Sequence, residues 1–104
     1  MILMTNEIRE KLIKAYEENK DEETPLKDRD IIVKYFYPMG RYTFYAIEGE
    51  AYEEDMIMFG YVLSPLSPDF DELGYVSLNE LKSLPLMERD LYFKETKLGE
   101  VMKE

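Results

Sequence analysis

An α+β fold is predicted: a small antiparallel sheet of four or five strands with an N-terminal amphipathic helix and a second short helix packed on it. Three observations predict it. Residues 5–20 carry apolar side chains at helical spacing, residues 31–63 hold three runs dense in β-branched and aromatic residues, and Ser77 to Glu80 has the form of a helix cap. At 104 residues the chain falls in the size range of a single domain, 1–104, with one hydrophobic core. Nine Tyr and five Phe supply apolar area enough to fold it without covalent staples.

The first element places Ile8, Leu12, Ile13 and Tyr16 on one face of a helix, with charged residues elsewhere. Thr5 suits the N-cap, and Glu7 and Lys20 suit the first and last turns, where each complements the helix dipole. Met1 to Met4 form a short apolar entry. Residues 19–30 are almost wholly polar and contain Thr24-Pro25, which stops a helix, so a connecting loop is expected there. Strands follow at 31–37, 42–47 and 56–63. Pro38 to Arg41 has turn chemistry, the acidic residues 48–55 suit a wider hairpin loop, and the simplest arrangement is a three-stranded meander.

Residues 64–71, with Pro65 and Pro68, read as a loop. Gly74-Tyr75-Val76 reads as a short strand leading into a helix that Ser77 and Glu80 cap and that Pro85 ends. A last strand at 90–94 and a polar tail complete the chain. Tyr35, Phe36, Tyr37, Tyr42, Phe44 and Tyr45 alternate across two adjacent strands, so one set should line the core and the other face a helix, solvent or a partner.

Composition removes whole classes of chemistry. Cysteine and histidine are both absent, which excludes disulfides, thiolate nucleophiles, histidine-dependent triads and the usual zinc sites. No apolar run approaches the roughly 18–20 residues of a membrane-spanning helix, and Met1-Ile2-Leu3-Met4 is too short for a signal-peptide core. A reducing cytoplasm is the expected location. The net charge of −10 argues against binding nucleic acid directly through a broad basic surface. Between Arg41 and Lys82 there is no Lys or Arg, whereas nine carboxylates fall there: Glu48, Glu50, Glu53, Glu54, Asp55, Asp69, Asp71, Glu72 and Glu80.

The run Glu72-Leu73-Gly74-Tyr75-Val76-Ser77-Leu78-Asn79-Glu80-Leu81, followed by Glu88-Arg89-Asp90-Leu91-Tyr92-Phe93, resembles the C-terminal signature of the domain-of-unknown-function family 2958. Val33-Lys34-Tyr35-Phe36-Tyr37-Pro38, then Thr43-Phe44, Glu48 and Phe59-Gly60, are similar to that family's earlier strands. The resemblance covers residues 5–98 and departs at 49–55 and 63–71, where this chain has its own acidic and proline-containing loops. It implies no activity or cofactor. It does imply a genetic context, the plasmids, phages and conjugative elements of bacteria, often beside antirestriction and transfer genes.

Each candidate site is weighed against a structural role. Ser77 and Glu80 are first of all a cap. Glu88, Arg89 and Asp90 form a candidate structural polar network, with Arg89 and Asp90 pointing apart if both are extended and Arg89 reaching a carboxylate of the middle block. The cluster Glu48, Glu50, Glu53, Glu54 and Asp55 could hold Mg²⁺ or Ca²⁺, but no spacing matches a calcium loop. A metal nuclease of carboxylates with Lys34 is conceivable, yet a solvated acidic loop outranks it. An aromatic single-strand platform conflicts with the charge. No metal and no cofactor is therefore expected.

The favoured function is an interaction protein whose partner-binding residues are Glu48, Glu50, Glu53, Glu54, Asp55, Asp69, Asp71 and Glu72. Clustered carboxylates can imitate phosphates toward a basic protein, here a nucleic-acid-binding host defence protein such as a restriction or CRISPR component. The alternatives are a carboxylate-based metal-dependent enzyme, which lacks a motif, and an accessory protein of plasmid transfer or replication.

Overall fold

The computed structural model describes residues 1–21 and 23–102. Helix α1 (Asn6–Asp21) starts where the Thr5 hydroxyl accepts a hydrogen bond from the Ile8 backbone N–H at 3.1 Å, which satisfies one of the orphan donors of the first turn. Leu12 is fully buried, with Ile8 and Ile13 packed beside it. The loop expected over 19–30 begins later than the composition suggests. Asn19 donates its side-chain amide to Glu48 at 2.8 Å, tying the last turn to the sheet, and the polar segment beyond contains a 3-10 turn at Leu26–Asp28. Glu22, inside that expected loop, lies outside the described residues.

Among the described residues seven strands follow: β1 (Asp30–Ile31), β2 (Val33–Phe36), β3 (Thr43–Tyr52), β4 (Asp55–Leu63), β5 (Glu72–Ser77), β6 (Glu88–Arg89) and β7 (Thr96–Lys97). Five form an antiparallel sheet in the order β5-β4-β3-β2-β6, while β1 and β7 form a separate two-stranded ladder. The β2-β3-β4 meander is the expected one. The expected wide loop at 48–55 is not. Ala51 pairs with Met56 and Tyr52 with Asp55, so only Glu53 and Glu54 turn the hairpin, and Glu53 takes a left-handed φ of 53°. The acidic residues Glu48 and Glu50 occupy alternate positions, as a strand allows. Between them Gly49 lies against Leu12, Met56 and Met58, so this part of β3 still has a buried face.

The β3–β4 register shifts between Ala46 and Glu48, a bulge that leaves Ile47 without a cross-strand partner. Gly60 sits opposite Ala46, and a Cβ there would lie 1.8 Å from the Tyr45 carbonyl oxygen. Backbone approaches backbone too closely for any side chain at this position.

Two apolar clusters, rather than the single expected core, lie about the sheet. The larger includes Leu12, Val33, Tyr35, Phe44, Met58 and Leu81, and the smaller is built on Ile31, Ile47, Tyr61 and Leu98. Helix α2 (Leu78–Lys82) contributes Leu78 and Leu81 to the first, and its end at Ser83 falls before Pro85. Tyr35 and Phe44 are fully buried in that cluster, and the Tyr35 hydroxyl donates to the Leu3 carbonyl at 2.7 Å. Burial pushes this phenol far above its ordinary value.

The C-terminal expectations need two corrections. The last strand of the main sheet is Glu88–Arg89, not 90–94, because Asp90 accepts the Tyr92 N–H at 2.9 Å and turns the chain. The expected polar tail instead forms β7 and helix α3 (Leu98–Met102), whose Leu98 is fully buried. Leu98, Val101 and Met102 share a helical stripe, and the second cluster is what that stripe packs against. Residues 103–104 lie outside the described residues.

Candidate functional site

The cation-free stretch does not form one acidic surface. Three of its carboxylates are engaged inside the protein. Asp71, its side chain 5% exposed, accepts both guanidinium nitrogens of Arg41, at 2.6 and 2.7 Å, and the Ser64 N–H at 2.7 Å. Arg41 also donates to the Ser64 carbonyl at 2.7 Å, so one bidentate pair fastens the β2–β3 turn to the β4–β5 connection. The guanidinium hydrogen bonds hold the Asp71 carboxyl below its ordinary 3.8.

Asp55 has a different task. Its carboxylate accepts the Met56 N–H at 2.7 Å and the Asn79 N–H at 3.0 Å, while Ser77 accepts the Glu80 N–H at 3.0 Å. Two side chains, one from each of two neighbouring strands, thus cap the start of α2. Burial alone would raise the Asp55 carboxyl, but the hydrogen bonds from Asn79, Met56, Ser77 and Leu78 hold it below its ordinary value. Glu48, at the bulge, accepts from Asn19 and lies 3.6 Å from Arg29.

The remaining candidates stand in solvent. Glu50, Glu53 and Glu54 are exposed at the end of the β3–β4 hairpin, together with Tyr52, which is 62% exposed. Among the described residues none of these three glutamates makes an ion pair, although Glu50 accepts a hydrogen bond from Tyr16, a phenol raised above its ordinary value mainly by desolvation. Asp69 and Glu72 are exposed at the opposite end of β4 and β5, where Glu72 pairs with Val62. From Ile57, next to the hairpin end, to Val62 the strand advances about 17 Å. That is roughly twice the Debye length of about 8 Å in physiological salt. The exposed members of the predicted partner-binding set therefore form two electrostatically separate groups, Glu50, Glu53 and Glu54 at the hairpin tip and Asp69 and Glu72 at the other end, and the tip is the denser.

The other candidates, Ser77 and Glu80 of the cap and Glu88, Arg89 and Asp90 of the expected polar network, have separate partners. Ser77 and Glu80 belong to the α2 cap. Arg89 donates to the Ile2 carbonyl at 3.2 Å and, among the described residues, makes no ion pair with a carboxylate of the middle stretch, contrary to expectation; Arg41 does so instead. Asp90 pairs with Lys34 at 3.5 Å, with both side chains about one quarter exposed at 24% and 27%. The Lys34 ammonium also lies 5.7 Å from the Tyr45 ring centre and 6.0 Å from that of Phe36. Arg89 and Asp90 thus reach different partners, but Asp90 lies beyond the end of β6, so the alternation expected of two extended residues does not apply to the pair. The Arg41–Asp71 clamp was not foreseen, although Arg41 is the last cation before the cation-free stretch and a turn residue facing a second loop.

Among the described residues no group of three or more carboxylates gathers into a metal-binding arrangement, and no helix is long and apolar enough to cross a membrane. A polar cavity of about 310 Å³ lies between α1 and the segment leading to β1; Lys11, Lys14 and Arg29 line it together with Glu18, Asp28 and Asp30, so its charges balance.

The molecule is a small α+β protein, a five-stranded antiparallel sheet with helices about it and charged residues placed in locks, caps and a projecting hairpin. It belongs to the family described as protein of unknown function (DUF2958), whose family model matches residues 3–101. Neither the curated proteins nor the solved structures provide a match.

Proposed function

We propose that this chain is an interaction protein that presents the tip of its β3–β4 hairpin to a basic partner. The observation that supports this reading is the contrast within one stretch of sequence: Glu53 and Glu54 are exposed and make no ion pair among the described residues, whereas Glu48, Asp55 and Asp71 are engaged. Unpaired carboxylates on a projecting hairpin raise the encounter rate with a positive surface, and an exposed Tyr beside them supplies contact area of the kind that dominates binding energy. The partner class we favour is a nucleic-acid-binding host defence protein, a restriction or CRISPR component, whose phosphate-binding groove the tip would occupy. A mobile-element setting is part of the same proposal.

The test is capture of bacterial lysate proteins on the immobilised chain, eluted by salt and challenged with a short duplex DNA. A mimic's partner should release with rising salt and compete with the duplex. The double variant Glu53→Lys/Glu54→Lys should lose that capture. Capture that survives charge reversal, or that duplex DNA does not displace, would sink the proposal.

One observation favours a second reading. The Lys34–Asp90 pair, partly enclosed beside Tyr45 and Phe36, is where a carboxylate-dependent enzyme would have its reacting groups. If such an enzyme uses a divalent cation, Mg²⁺ or Mn²⁺ should raise the melting temperature, and Asp90→Asn should abolish the rise.

A further inference from the structure

At the opposite end of the sheet from the hairpin tip, the β2–β3 turn, the β4–β5 connection and the segment after α2 enclose a groove of about 240 Å³. Its walls are Tyr37, Tyr42, Pro65, Leu84, Pro85 and Met87. That volume lies below the roughly 300–1,000 Å³ of typical small-molecule sites, and the walls offer a ligand almost nothing but carbon. It suits one or two apolar side chains better than a metabolite. Leu84 is 40% exposed, so part of this apolar wall faces water.

The groove's surroundings select the occupant by charge. Arg41, whose carbonyl partner Ser64 adjoins Pro65, is neutralised by Asp71. Glu80 is close enough to the Tyr42 hydroxyl to add to the burial that holds this phenol at about 12. Glu80 and Glu88, the latter following Met87 directly, make no ion pair among the described residues. Lys82 marks the other side, where a second cavity of about 360 Å³ shares Leu84, Pro85 and Met87. An apolar slot with Glu80 beside its Tyr42 wall, on a chain of net charge −10, is complementary to an amphipathic basic segment. It is not complementary to a second copy of the same acidic chain.

We infer that the basic partner anchors here, inserting an apolar side chain of an amphipathic Lys- or Arg-bearing segment into the Tyr37–Tyr42–Leu84 groove. The inference rests on the partner being basic, and it adds a second contact remote from the hairpin tip.

The probe is an amphipathic helical peptide of Leu and Lys, titrated into the full chain and followed by amide chemical shifts. Expected are shifts at Tyr37, Tyr42 and residues 84–87, and an affinity that falls with salt. Leu84→Asp should weaken binding by at least about tenfold, even though it adds a negative charge that a purely electrostatic association would welcome. Leu84→Ser, which changes no charge, should weaken it too, and unchanged melting temperatures show that both variants fold. Unchanged or tighter binding by Leu84→Asp overturns the inference, as do shifts confined to residues 50–54 or equal binding of a scrambled Leu/Lys peptide. A dimer that Leu84→Asp dissociates would make a second copy the occupant and also overturn it. So would binding of phosphatidylcholine vesicles in place of the peptide. The two proposals fail separately: lysate capture lost in Glu53→Lys/Glu54→Lys with peptide binding untouched by Leu84→Asp leaves the tip and removes the groove, and the reverse pattern leaves the groove and removes the tip.

Discussion

Asp71 and Glu53 sit at opposite ends of the same sheet, in the same cation-free stretch, and meet opposite fates. Asp71 is held by a bidentate Arg41 and a backbone N–H, so its charge joins two loops. Glu53 occupies a left-handed turn position in solvent, where its charge joins nothing among the described residues and its backbone is under mild strain. Like residue types therefore serve stability at one position and are available for contact at another. Burial and the reach of one arginine decide which.

The contrast depends on the hairpin that spans both ends, so the largest expected effect lies at its middle. Gly60→Ala should destabilise the protein by about 3 kcal/mol or more, because the added Cβ meets the Tyr45 carbonyl at 1.8 Å and neither group is a flexible side chain. Urea denaturation measures it; a loss near zero would mean that the bulge can relax.

A smaller loss should follow from breaking the locked end. Arg41→Ala should lower the melting temperature at neutral pH, since it leaves the Asp71 carboxylate without its main partner. The pH dependence sharpens this. Asp71 has its carboxyl lowered on folding, so it contributes stability above its unfolded value near 3.8 and loses that contribution as pH falls through the folded value. The wild type should therefore lose stability below about pH 4, and Arg41→Ala should lose less over the same interval. Parallel acid limbs in the two proteins would assign the loss to other carboxylates such as Asp55, which is also lowered.

The smallest effects belong to the exposed end. Glu53→Lys/Glu54→Lys should leave the melting temperature within about 2 °C of the wild type, while Glu53→Gly should raise it by at most about 4 °C by relieving the positive φ. A large loss in the lysine pair would show that the tip carboxylates stabilise the fold and would erase the contrast.

Much of the fold was legible along the chain. Thr5 before an apolar stripe, Ser77 before Leu78 and Leu81, and the three runs about Tyr35, Phe44 and Met58 are local signals, and the α+β class with its antiparallel meander follows from them. Residues 48–55 misled because their composition is that of a loop while their alternation is that of a strand. What keeps residues 48–52 extended is their pairing with β4, with Gly49 close to Leu12, a residue far away in sequence. The C-terminal stripe was overlooked because three apolar residues make a marginal helix until the second face of the sheet is there to cover them.

The candidate sites divide in the same way. The sequence by itself determined that the chain holds no cysteine or histidine chemistry, that its excess charge lies between Arg41 and Lys82, and that capped helices flank a β-rich middle. Those are properties of composition and of neighbours within a few residues. Only the tertiary structure decided which carboxylates are engaged and which are free, because Arg41 meets Asp71 across 30 residues and Asp55 meets Asn79 across 24. Hydrogen bonds and burial act through space, and spacing along a chain carries no record of them until the sheet is built.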